Sequence, residues 1–515
     1  MKKINKDYLI SAVLFIIIII ISWNFIKGFN SYDTYKMYQL GYVKYAKQLF
    51  FADGRIFSGF YILIAQLFNI LEEDLYHFSI ILCIIIVVGN IIYFKKLLLK
   101  ISDKKLNDYL MSILAFITIF NFSYVDNMRF IEMPIIALSI FCYMIAAKKA
   151  VIDKKNMKSL VYLLIAVFMY QATINVFFIM TIFLLLQKYK TIDNQVILKA
   201  IKILALSIIP IIVNYLYMEI YGSLFVYTER GMINIKMIPL KFIDSMLTLV
   251  NVFIYSKSVL PKYFYCIMIV INIILLFLLL FKYKEKKIYD TYYSIVVILI
   301  VSFFSCLPVI WFFTIEDINS SLSGRLFWAV GATYGFMMIL VYLNTDLIEK
   351  NIYKFVYIGL ILIYAVVLYY GMNNVMKEER AKNDMDRSIC YMIKENIEQY
   401  EKINNCKVDK LKIKVDVTFE GLSKDNEKFS KERSYIMSGM SIGKLLEFYC
   451  GMKMVIQYIP EKVINFKKNI DFYYLLKPFL SYILSRFRLS YPLLLEHIDN
   501  HHIVLLLFQF HILGK

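Results

Sequence analysis

Runs of about twenty apolar residues, separated by short clusters of lysine, recur through most of this chain and restrict its fold more than any other feature. A helix needs about 20 residues to cross the hydrocarbon of a bilayer. The first run, in "MKKINKDYLISAVLFIIIIIISWNFI", is too long for a signal peptide and lacks a small-residue cleavage site, so it reads as an uncleaved first span. With 60% hydrophobic residues over 515 positions, a soluble domain could not bury the apolar surface, and lipid is the expected solvent. The net charge of +19 would suit a polyanion if the protein were soluble. Here the lysines sit between apolar runs, at 95–105, 148–158, 188–190 and 282–287, where retention of cations on the cytoplasmic side accounts for them. No nucleic-acid partner is expected.

Placing Met1–Lys6 inside sets the path of the chain. Span one, about 8–27, then ends outside. If 56–71 and 77–94 both crossed, the lysines at 95–105 would fall outside, against the charge rule. The conflict resolves if 56–71, preceded by Arg55 and followed by three acids, lies in the interface plane. Tyr38, Tyr42, Tyr45 and Leu49 fall at i, i+4, i+7 and i+11, the spacing of an amphipathic helix over 34–50. The first outer loop, 28–76, is therefore expected to hold two juxtamembrane helices joined by "FADGR".

Later spans alternate with consistent sign: 109–124, 131–147, 203–221, 263–281, 291–312, 326–343 and 353–371. The run 159–187 is too long for one crossing and, as one, would put "KYK" outside. Splitting it at Tyr170-Gln171 gives two short helices that meet at the outer face, a break tolerated where it lines a protein cavity. The expected fold is an all-α polytopic membrane protein of about eleven transmembrane segments over residues 1–371, N-terminus inside. The remainder, 372–515, falls outside. There 376–405 is charged and helical in pattern, and "KLKIKVDVTF" at 410–419 alternates as a strand does, so a small α+β extracytoplasmic domain is expected. The closing "HHIVLLLFQFHILGK" has no place in this scheme.

Cysteines add little. Cys83, Cys142, Cys266 and Cys306 lie in apolar runs, whereas Cys390, Cys406 and Cys450 lie in the tail, where a Cys390–Cys406 disulfide is compatible with an outside location. No C-x-x-C or histidine cluster marks a structural metal. The Ile/Lys/Asn/Tyr bias fits an AT-rich bacterial coding sequence, which makes a bacterial cytoplasmic membrane the expected location.

With this topology the outer loops collect a distinct set of polar residues. They are Asp33, Asp53 and Arg55, then Asp126, Arg129 and Glu132 in "YVDNMRFIEMP", and Tyr170 and Gln171 at the split. Tyr227, Glu229 and Arg230 follow in the long 222–262 loop, and Glu316, Asp317 and Arg325 in "TIEDINSSLSGRLFW". Arginine's planar fork can hydrogen-bond two phosphate oxygens at once. Arginines kept on the side where charge retention disfavours them call for a partner there. Pairing with neighbouring acids at the lipid headgroups is the plainer account of any one of them.

The layout resembles the GT-C class of polytopic membrane glycosyltransferases. Four features carry the resemblance: the aspartate soon after span one in "NSYDTY", two juxtamembrane helices in the first outer loop, short paired spans and an extracytoplasmic tail. Gly54-Arg55 opening the next apolar run and Tyr170-Gln171 atop a helical pair are most similar to the serotype-converting glucosyltransferase (type II Gtr) family, although Asp33 stands alone where many members carry paired acids. The resemblance implies transfer of a sugar, glucose in that family, from a polyprenyl-phosphate-sugar donor to a cell-surface glycan acceptor. It implies Asp33 as catalytic base with Asp53 second, and Arg55 and Arg325 on the donor phosphate with Arg129 and Arg230 behind them. Tyr32, Tyr35 and Tyr38 could stack on sugar faces or form an interfacial belt. Tyr170, Gln171, Glu229, Glu316 and Asp317 would complete the substrate site. Some members of the class use a divalent cation, which no residue spacing here demands.

Three other readings compete. A polysaccharide polymerase or glycan ligase is also multispanning but concentrates its chemistry in large later loops. A transporter or flippase for glycans would show paired halves and charges near the midplane, and no internal repeat is present. A non-catalytic scaffold would not need the arginines.

Overall fold

A computed structural model describes residues 6–102, 107–190, 193–225, 238–283, 286–307, 324–344 and 351–405, with 407–408, 410–415, 442–452, 455–458, 494–498 and 502–507 in the tail. One compact unit is built from Met1–Ala381, and the other takes most of the chain beyond Lys382.

Among the described residues of the first unit, eight helical stretches are long and apolar enough to cross a membrane. The first helix, α1 (Lys6–Ile26), shows why these are spans. Ile10, Leu14, Ile18, Ile21 and Phe25 recur at helical spacing and are buried, while Leu9, Val13, Ile16 and Ile20 on the other face stay exposed. Apolar exposure of that extent marks a lipid-facing surface rather than a soluble one. The same pattern recurs on the helices Ile208–Phe225 and Phe264–Tyr283, where Ile212, Leu216, Ile274 and Leu278 face outward. The fold is that of an all-α polytopic integral membrane protein.

The first loop contains the two short helices expected. α2 (Tyr32–Lys47) starts with a capping box: Ser31 Oγ accepts from Thr34 N at 3.3 Å, and Thr34 Oγ1 accepts from Ser31 N at 3.2 Å. It is kinked at Gly41, and Tyr42, Tyr45 and Leu49 are buried as their spacing requires. A π turn (Gln48–Ala52) leads through Asp53-Gly54-Arg55 into α3 (Ile56–Leu67). The acids Glu72 and Asp74 do not close that helix. They form the first turn of α4 (Glu72–Ile101), where the positive end of the helix dipole favours them.

α5 (Asp108–Ile119) leads to the four-residue α6 (Tyr124–Asn127), and α7 (Met133–Val151) begins with Pro134 in its first turn. The long run divides as its length requires, into α8 (Asn156–Met169) and α9 (Asn175–Tyr189) around a single turn, Gln171–Thr173. Tyr170 is extended (φ −161°, ψ 108°), so the helix ladder stops there. The freed carbonyls are met by side chains: Met169 O by Ser58 Oγ (3.4 Å), and Tyr170 O by Tyr143 Oη (3.3 Å) and Thr173 Oγ1 (3.2 Å).

α10 (Asn194–Ala205) and α11 (Ile208–Phe225) follow. The expected loop 222–262 contains a helix, α12 (Ile238–Tyr255), whose Leu249 and Val252 are buried while Leu247 and Val250 are not. An amphipathic pattern this short is masked by the longer apolar runs beside it. α13 (Phe264–Tyr283), α14 (Lys286–Phe304), α15 (Trp328–Asn344) and α16 (Asn351–Asn404) complete the helices of this unit, the last continuing into the second. Of the eight long stretches the one containing α9 is the most enclosed, with α7, α10, α14 and α15 packed on α9.

In the second unit, α17 (Ile442–Cys450) accompanies four strands, β1 (Lys410–Val415), β2 (Val455–Tyr458), β3 (Leu494–Ile498) and β4 (His502–Leu507). The sheet order is β2-β1-β4-β3, with β1 parallel to β2 and β4, and β3 antiparallel to β4. The apolar "HIVLLL" of the C-terminal segment is thus a strand beside the one read from alternation. Cys390 and Cys450 are free thiols, so the described Cys390 forms no disulfide; Cys406 lies outside the described residues.

Candidate functional site

The Asp53-Gly54-Arg55 turn is held from two sides. Gln171 Nε2 donates to Asp53 O at 2.5 Å and Asn214 Nδ2 donates to Gly54 O at 3.0 Å, while the two amides meet each other at 3.2 Å. Gly54 has φ +62°, and a Cβ there would sit 2.7 Å from Met218 Cγ and 2.9 Å from Asn214 Nδ2. Only glycine meets both demands. Backbone donors close the turn from within, Asp53 N to Gln48 O (3.1 Å) and Arg55 N to Leu49 O (2.8 Å).

That turn delivers Arg55 into a cluster of acids and tyrosines. Its Nη1 donates to Glu132 Oε1 at 2.8 Å, and its guanidinium lies over the ring of Tyr170, 4.7 Å from the centroid. Tyr45 Oη donates to Glu132 Oε2 at 3.4 Å. Glu132 is 1% exposed and Arg55 15%. Asp33, in the first turn of α2, and Asp53 are close enough to act on both Arg55 and Tyr45 through their fields. Burial is the main cause that pushes the Tyr45 phenol well above its usual range, with the fields of Asp33, Glu132 and Asp53 adding to it. For Arg55 burial works against the charge, but Asp53, Tyr170, Glu132 and Asp33 outweigh it and raise its pKa. The guanidinium stays charged and Tyr45 stays a donor. Arg55 Nε is buried without a hydrogen-bond partner.

Of the residues singled out in the sequence, the structure thus gathers Asp33, Asp53, Arg55, Tyr170 and Gln171 in one place. Arg129 belongs to another buried set, with Asp126 at 3.3 Å and Glu379 at 2.5 Å. Tyr35 is buried, and Tyr38 is only partly so. Arg325 is carried on the turn Gly324–Phe327, which packs against α6 and against Gln171–Thr173. The side chains of Tyr32 and Arg325, and all of Glu229, Arg230, Glu316 and Asp317, lie outside the described residues.

Three participants were not marked as site residues by the sequence reading. Glu132 stood among the outer acids but had no assigned role. Tyr45 counted only as part of an apolar stripe. Asn214 is an amide inside an apolar run, and that polarity was the one available signal. Among the described residues no three His, Cys, Asp or Glu side chains gather to hold a metal. Arg55 places a cation among these carboxylates.

The described helices define the class, an integral membrane protein with a charged, tyrosine-lined cluster where its first loop meets α7 and the α8–α9 break. No family model, curated protein or solved structure matches the chain.

Proposed function

We propose that this protein is a GT-C-like membrane glycosyltransferase of the type II Gtr kind. It moves a sugar, glucose in the first instance, from a polyprenyl-phosphate-sugar donor to a cell-surface glycan on the extracytoplasmic face. The observation that carries this reading is the meeting of Asp33, Asp53 and Arg55 from the first loop with Glu132 and Tyr170 from later helices.

Carboxylates, an arginine and tyrosine rings suit a sugar, which offers hydroxyls to the first two and an apolar face to the third. Asp33 takes the proton of the acceptor hydroxyl as its oxygen attacks the anomeric carbon, with Asp53 the second candidate. The bond from that carbon to the phosphate oxygen breaks, and the electron pair leaves with the polyprenyl phosphate. Cations stabilise the charge that develops on it. Arg55 offers the Nε edge that no protein group uses. Arg325 and Arg230 are the further candidates, whereas Arg129, committed to two carboxylates, ranks behind them.

The topology of this reading has eleven crossings, the eight long stretches plus the shorter helices Asp108–Ile119, Asn156–Met169 and Trp328–Leu343. α3 then lies at the outer surface beside the entering lipid, the N-terminus is inside, and the strands and helix beyond residue 372 form an α+β domain outside, in a bacterial cytoplasmic membrane. A polymerase or ligase shares most of this chemistry; a glycan transporter needs none of the proton transfer. The test compares surface-glycan sugar composition in cells with the gene, without it and with Asp33→Asn. A sugar lost in both altered strains while the variant protein stays in the membrane supports transfer. Unchanged composition in all three would overturn it.

A further inference from the structure

Among the described residues, Asn127 is the one side-chain amide whose oxygen and nitrogen are both buried without a hydrogen-bond partner. It is 1% exposed and sits on α6, a helix that packs against the Gly324–Phe327 turn. Buried polar groups in native proteins are rarely left unpaired unless a water or a ligand meets them.

The surroundings are built with care around that turn. Three successive carbonyls are each held by a side chain: Leu326 O by Asn175 Nδ2 (2.7 Å), Phe327 O by Ser123 Oγ (3.1 Å) and Trp328 O by Asn121 Nδ2 (3.4 Å). Asn175, having spent its nitrogen on the turn, leaves its own Oδ1 buried and unpaired. The turn also packs against Gln171–Thr173, whose Gln171 grips the Asp53 carbonyl. Asn127 precedes Glu132 in the same connection between α5 and α7. Two amides with unused capacity therefore border the elements that shape the acid cluster.

We propose that Asn127 forms a hydrogen-bonding subsite for neighbouring hydroxyls of a sugar, the part of a lipid-linked sugar that lies away from its phosphate. An amide offers a donor and an acceptor side by side, and a vicinal diol offers the same two in return. Charge does not favour an anion here, because the adjacent Asp126 is paired with Arg129 at 3.3 Å and Arg129 also serves Glu379. The proposal rests on the lipid-linked donor reading.

The experiment measures thermal shift of the full purified chain with two kinds of probe: bare polyprenyl phosphate, and the same lipid carrying glucose, galactose or mannose. The unaltered protein is expected to be stabilised further by one sugar-bearing lipid than by the bare one. Asn127→Leu is expected to raise the Tm of the ligand-free chain, since no amide is left unpaired. It should keep the bare-lipid shift and weaken affinity for the sugar-bearing lipid at least about tenfold. Asn127→Ala, which needs no extra room, should show the same selective loss. A sugar-dependent increment that survives both substitutions overturns the subsite and assigns the amide to a buried water. If neither kind of lipid shifts the unaltered protein, the donor reading fails, and the subsite with it.

Discussion

Arg55 and Glu132 meet at 2.8 Å although 77 positions separate them, and this contact fastens the first loop to the start of α7. Glu132 accepts from Arg55 with one oxygen and from Tyr45 with the other, so neither oxygen is idle. It works as a brace, while Asp33 stays half-buried.

Removing one side of that pair should be costly. Glu132→Ala leaves a largely buried guanidinium with the fields of Asp53 and Asp33 but without its hydrogen-bonded carboxylate, and the expected loss of stability is about 3 kcal/mol. Arg55→Met with Glu132→Leu should recover most of that loss while transfer activity stays absent. Thermal melts in detergent together with surface-glycan analysis check both halves. A stable, active Glu132→Ala protein would remove the brace.

Gly54→Ala should disturb the site without touching a charged group. Its left-handed backbone costs about 1–2 kcal/mol with any L side chain, and the new Cβ also meets Met218. Adding Met218→Ala relieves one collision but neither the approach to Asn214 Nδ2 nor the backbone strain, so the double variant should recover only part of the Tm. Full recovery would show that the backbone at Gly54 is unstrained.

Alkaline stability should report on Tyr42. Burial first, then the fields of Glu72 and Asp74, push its phenol up to about 12, and its hydroxyl donates to Ile70 O. The neutral form is favoured in the folded protein, so the contribution is whole below pH 10 and fades as pH rises from 10 to about 12. Tyr42→Phe should lose about 1 kcal/mol at neutral pH through the missing hydrogen bond. It should then fall less steeply over that alkaline window than the parent, as denaturant melts at several pH values would reveal. A parallel decline in both proteins would contradict the assignment.

Sidedness can be read by single cysteines introduced at positions 53, 229 and 317 in a chain without its native thiols. A membrane-impermeant maleimide is expected to label all three from outside. Labelling confined to the inside at any of them inverts the topology and removes the donor site from the outer face.

Much of the architecture was legible because charge and length leave few solutions. The 159–187 run is too long for one crossing and has to break; Tyr170 and Gln171 are where it does. Asp33, Asp53 and Arg55 could be grouped because they are near in sequence. Glu132 and Asn214 could not be joined to them, since those contacts span 77 and 160 positions and one sequence carries no pairing signal. Arg129 ranks behind Arg55 in the sequence, and its acids, Asp126 and the distant Glu379, set it apart in the structure. The helix Ile238–Tyr255 went unread because Lys241, Asp244 and Asn251 interrupt the continuous apolar run by which its neighbours are recognised.

The amide clamp on Asp53-Gly54 has a consequence for how the protein is made. The turn leaves the ribosome early, but its two grips, Gln171 and Asn214, are synthesised 118 and 160 residues after the carbonyls they hold. Until α8, α9 and α11 have inserted, the Asp53 and Gly54 carbonyls lack these donors and Arg55 lacks its tyrosine. A nascent chain therefore carries an unassembled first loop through several rounds of insertion. A fragment that ends between Glu132 and α11 keeps every acid of the cluster and still lacks the Asn214 grip on their turn.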